Sequence, residues 1–79
     1  MTPASIETQI RKAFEELYPH HNVVIHGAGE ETIIVAVQFK TAYIIGFDAE
    51  IPSDDDGFFH FHPINGDTAT TILVPYPED

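Results

Sequence analysis

Two consecutive runs decide how this chain folds: Thr32-Ile33-Ile34-Val35-Ala36-Val37-Gln38-Phe39, and Ala42-Tyr43-Ile44-Ile45-Gly46-Phe47-Asp48-Ala49-Glu50-Ile51. The first is dense in β-branched residues, which pack well on a pleated surface and poorly in a helix. The second alternates, with Tyr43, Ile45, Phe47, Ala49 and Ile51 on one side and Ile44, Gly46, Asp48 and Glu50 on the other. Side chains of a strand point to opposite faces in turn, so this run predicts one face in the core and a more polar face in water. Lys40-Thr41 stands between the runs as a tight turn, and together they predict an antiparallel hairpin.

Working outward, Asn22 to His26 reads as a strand before the hairpin, with Gly27-Ala28-Gly29-Glu30 as its turn. After the hairpin, Pro52 to Gly57 is an acidic loop, Phe58 to His62 a short strand, Asn65-Gly66-Asp67 a turn and Thr68 to Val74 the last strand, ended by Pro75 and Pro77. The only helical period lies at the N-terminus, where Ile6, Ile10, Phe14 and Leu17 share a face. Thr2-Pro3 supplies a hydroxyl cap and a first-turn proline, and Pro19 ends the helix at Tyr18. Glu7, Arg11 and Glu15 follow at four-residue spacing, which predicts salt-bridge partners for Arg11 and Lys12. The expected architecture is α+β: a single domain over residues 1–79, with one N-terminal helix packed on a four- to five-stranded antiparallel sheet. A meander and a Greek key both satisfy the pattern.

The composition narrows the function classes. Thirteen Asp and Glu against three Lys and Arg give a net charge of -10, which disfavours direct binding to nucleic acid or to an anionic membrane. A hydrophobic fraction of 43%, with six Phe and three Tyr, predicts a folded chain rather than an acidic disordered one. The absence of cysteine excludes a disulfide scaffold, a thiolate zinc site and a cysteine nucleophile. Ser5 and Ser53 have no base nearby, there is no glycine-rich phosphate loop, and Arg11, Lys12 and Lys40 are too few to hold a phosphorylated substrate. No run approaches the ~20 apolar residues of a membrane span. The expectation is a cytoplasmic, non-enzymatic protein without a cofactor. A salt-loving source would produce the same acidic surface, but then the charge would say nothing of a partner.

Three constellations remain. The first is acidic: Asp48, Glu50, Asp54, Asp55 and Asp56 fall in one short run, with Glu30 and Glu31 in another turn. Residues two apart on a strand share a face at about 6.6 Å, so Asp48 and Glu50 project two charges in a row. A duplex carries a phosphate every ~3.4 Å of axis on each strand and is bound by clefts of Lys and Arg, which an ordered row of carboxylates would also fit. The bland alternative is a solvated face that keeps a small domain dispersed. The second is Gly57-Phe58-Phe59-His60-Phe61-His62-Pro63, where His60 and His62 point the same way and would grip one metal, or simply line the polar side of a strand. This stretch resembles the HxHP strand of the JAMM (MPN) metallo-isopeptidases. The resemblance would require a following Ser-x-x-Asp, where this chain has Thr71 and Val74, with Asp67 as a substitute ligand. It would also require a glutamate after the early helix, where His20, His21 and Asn22 stand. The third, Asp54-Asp55-Asp56-Gly57, resembles the middle of an EF-hand loop, but Pro52 and Pro63 fall at its first and twelfth positions, where a ligand and a carboxylate are needed.

In size, charge and lack of a catalytic set, the whole chain resembles small acidic phage proteins that disarm bacterial defence, notably anti-CRISPR proteins of the DNA-mimic kind. That resemblance implies a stoichiometric inhibitor, acting in the host cytoplasm. Its acidic residues Asp48, Glu50, Asp54, Asp55, Asp56, Glu30 and Glu31 would block the basic DNA-binding surface of an effector complex. A metal-binding or degenerate JAMM-like domain using His60 and His62 is a second expectation. An interaction module is a third, binding through a surface apolar patch at Tyr43, Ile44 or Tyr76, and Ile34, Ala36 and Ile44 make the far side of the central hairpin apolar, as in a homodimer or a sheet covered on both sides.

Overall fold

A computed structural model describes residues 2–40, 44–50, 56–64 and 70–77. Helix α1 spans Pro3–Leu17 and is held at its start by a reciprocal cap: Ser5 N–H donates to Thr2 Oγ1 and Thr2 N–H donates to Ser5 Oγ, both at 3.1 Å. Serine here does what Glu or Gln does in the usual capping box. At the other end the Tyr18 N–H donates to Phe14 O before Pro19 stops the helix. Ile6, Ile10 and Phe14 are buried as the spacing predicts, whereas Leu17 is 56% exposed. Leu17 lies in the last turn, where Tyr18 packs against the core edge instead.

Five strands follow: β1 (Asn22–His26), β2 (Thr32–Gln38), β3 (Ile44–Glu50), β4 (Phe58–Pro63) and β5 (Ile72–Pro75). They pair antiparallel in the order β1-β2-β3-β4-β5, so the sheet is a meander. The expected ends of β3 at Ala42 and Ile51 lie outside the described residues. The last strand starts at Ile72, later than expected, and Thr70 and Thr71 are not part of it. The reason lies in β4, which changes partners along its length. Phe58 to Phe61 pair with Pro75 to Ile72, while His62 and Pro63 pair with Asp48 and Phe47 of β3. Thr71, opposite His62, is left with a side-chain contact, its Oγ1 3.2 Å from His62 Nδ1.

Helix α1 packs on β1 and β5, the two edges of the sheet, so the sheet curls around it. Phe14 fills the hollow, meeting the rings of Phe47 and Phe61 edge-on at 5.3 Å each. The inner residues of every strand, from Val23 and Ile25 through Ile33, Val35, Val37, Ile45, Phe47 and Ala49 to Phe59, Phe61 and Val74, complete a core with no buried polar side chain among the described residues.

A meander brings alternate connections to the same end. The β1–β2 turn and the β3–β4 connection therefore share one end of the sheet, and the start of α1 joins them there. Gly27 (φ 82°) and Gly29 (φ 92°) need the left-handed backbone of that turn. A side chain at Gly27 would run into the Thr32 carbonyl, and one at Gly29 into the Pro3 ring. No helix among the described residues is long and apolar enough to cross a membrane.

Candidate functional site

The inner face of the sheet is closed by α1, and its outer face is open to solvent, as is the outward side of the helix. Its residues stand in cross-strand rows fixed by the register. At the far end Asn22 Nδ2 donates to Gln38 Oε1 (3.1 Å), beside Ile44. The next row is Val24, Ala36 and Gly46, with the Ile64 side chain lying against Gly46. Then come His26, Ile34, Asp48 and His62, and finally Thr32 opposite Glu50. The face thus runs from neutral and apolar at one end to acidic at the other.

Five of the seven acidic candidates are described, and they gather at that second end. Thr32 pairs with Glu50, so the exposed Glu30 and Glu31 of the preceding turn sit next to the end of β3. Asp48 lies one row in, and Asp56 stands just before β4. Asp54, Asp55 and Asp67 lie outside the described residues. The cations lie elsewhere. Lys40 follows the opposite end of β2, and Arg11 Nη1 donates to the Val23 carbonyl at 2.9 Å rather than to the expected glutamates. His20 and His21 also belong to the far end, between α1 and β1, where the His21 ring lies tilted against Phe39 at 4.1 Å.

The β3–β4 register covers Phe47↔Pro63 and Asp48↔His62, and where the strands part a groove of about 350 Å³ opens, lined by Asp48, Ala49, Glu50, His60 and His62. Asp56 contacts one of the lining residues, His60. Its Oδ1 accepts the Phe58 N–H (3.1 Å) and its Oδ2 lies 2.6 Å from His60 Nε2, so one carboxylate fixes both the first residue of β4 and the histidine. Asp56 is therefore anchored to the sheet. His60 and His62 do share the outer face, as period two predicts, but each already has a neighbour, Asp56 and Thr71 respectively.

Among the described residues no group of three His, Asp or Glu is placed to hold a metal. Val74, at the position of the third JAMM ligand, is a fully buried core residue. Neither the partner exchange of β4 nor the Asp56–His60 contact follows from the strand period alone. The signal for the second was present in Asp56-Gly57, a turn pair directly before the strand whose third residue is His60. Gly57 has φ 87°.

Compared with known proteins, the chain has no matching family model, and no curated protein or solved structure matches it.

Proposed function

We propose that this protein is an acidic decoy that binds the Lys/Arg-lined DNA-binding surface of a nucleic-acid-binding defence complex, such as a CRISPR effector, and so excludes DNA from it. The observation that carries this reading is the separation of charge along the meander. On the sheet and its turns Glu30, Glu31, Asp48, Glu50 and Asp56 gather at one end, while Lys40 and the His20-His21 pair belong to the other, where only the last turn of α1 adds acid, as Glu15 and Glu16. Charge that served dispersal alone needs no such polarity, and a like-charge cluster costs a small domain stability through self-repulsion. An ordered cluster offers a cationic cleft fixed carboxylates, and the attraction guides the encounter as well as the bound state.

The decoy acts stoichiometrically and uses no cofactor. Its affinity follows the screening length, which falls from about 10 Å at 0.1 M salt to about 3 Å at 1 M. The test is capture of a bacterial nucleic-acid-binding complex on the immobilised protein at low salt, elution along a salt gradient, and competition for the eluted complex by labelled duplex DNA. Elution at moderate salt together with mutual displacement of protein and DNA is the expected result. A captured complex that binds DNA and this protein at the same time would overturn the reading.

A further inference from the structure

The outer face holds more than carboxylates. Ile34 is 43% and Ile44 53% exposed, and with the half-buried Val24 and Ala36 they form an apolar strip on β1, β2 and β3 that runs directly into Asp48. The register places Ile34 opposite Asp48, a separation of about 4.5–5.5 Å between their Cβ atoms, with Glu50 two residues further along the same face. Duplex DNA presents its phosphates at the rim and its few apolar groups, the thymine methyls, inside the groove, so mimicry of the phosphate charge leaves the strip unused.

We infer that the strip is a docking surface for a basic amphipathic protein segment, whose apolar side chains cover Ile34 and Ile44 while its Arg or Lys heads reach Asp48 and Glu50. The sign of the partner's charge rests on the decoy reading, and the apolar half is the new element. Charge complementarity selects this occupant. A second copy of the chain would bring another net charge of -10 against the same face, whereas a cationic side chain can lay its aliphatic stem on Ile34 and Ala36 and keep its head on the carboxylates. Arginine fits better than lysine, because its more weakly hydrated head costs less to bring against an apolar surface.

The test uses two synthetic helical peptides of equal length and equal arginine content, one with leucine on the opposite face and one with glutamine there. At about 0.5 M salt, where charge is largely screened, the leucine peptide is expected to bind the intact protein at least about tenfold tighter than the glutamine peptide. Amide shifts should centre on Val24, Ile34, Ala36, Ile44 and Asp48. Ile34→Ser with Ile44→Ser should erase that difference and leave the glutamine peptide's low-salt affinity unchanged. Equal binding of the two peptides to the intact protein, shifts confined to Glu30 and Glu31, or salt-promoted self-association that blocks both peptides would each overturn the proposal. The outcome is separable from the decoy test. Peptide discrimination without DNA competition keeps the docking surface and removes the nucleic-acid reading, and the reverse result does the opposite.

Discussion

The two faces of β2 and β3 are made from alternate residues of the same two segments, yet they follow different rules. Inward, Ile33, Val35, Val37, Ile45, Phe47 and Ala49 are all buried against α1 and the far strands. Outward, Thr32, Ile34, Ala36, Gln38, Ile44, Gly46, Asp48 and Glu50 mix charge, amide and exposed aliphatic. The inner face is a single apolar phase because burial of even one unpaired polar group would cost a large part of a small domain's stability. The outer face has no such constraint and carries the departures from a plain solvated surface. Strand period thus separates the residues that build the core from those that face solvent, one residue apart along the chain.

The hardest blow to that comparison falls on the inner face. Phe14→Ala removes the ring between Phe47 and Phe61, and at about 3–5 kcal/mol for a buried phenylalanine it is expected to unfold the domain or nearly so. Leu17→Ala, on the same helical stripe but exposed, should change stability by less than about 0.5 kcal/mol. Denaturant unfolding of the two variants measures both, and similar losses would mean that the helix does not sit as described.

Next come the turns at the acidic end. Gly57→Ala meets open space but a positive φ, and should cost about 1 kcal/mol of backbone strain, whereas Gly27→Ala adds a collision with the Thr32 carbonyl and should cost distinctly more. Equal costs would place the β1–β2 turn differently. The smallest effect belongs to the outer face: Asp48→Asn and Glu50→Gln should leave stability within about 0.5 kcal/mol, with a slight gain from relief of self-repulsion. A large loss in either variant would show that the acidic face is structural and would break the division.

Much of this was legible in the chain. The alternation from Ile44 to Glu50 and the Ile6, Ile10, Phe14 spacing set the helix, the central hairpin and the buried face, because period and burial are local consequences of backbone geometry. Pairing order was not legible, since both a meander and a Greek key bury the same residues. The same holds for β5, whose start depends on where β4 leaves it to pair with β3, a long-range choice that Thr68 to Thr71 do not record. Neighbours across strands were equally hidden. That Glu30 and Glu31 lie beside Glu50 follows only from the Thr32↔Glu50 register. The fate of Arg11 turned on tertiary contact as well. Its spacing to Glu7 and Glu15 suggested ion pairs, but the strand beneath offered the Val23 carbonyl.

On the decoy reading the place of the charge matters, and not only its amount. The direct test compares two double variants in displacement of labelled duplex DNA from the captured complex: Asp48→Lys with Glu50→Lys on the outer face, and Glu15→Lys with Glu16→Lys on the exposed side of α1. Each replaces two negative charges by two positive ones and moves the net charge from -10 to -6. The outer-face variant is expected to lose displacement by about tenfold or more while the helix variant keeps most of it. Equal loss in the two variants would contradict that reading, leaving net charge alone as the cause.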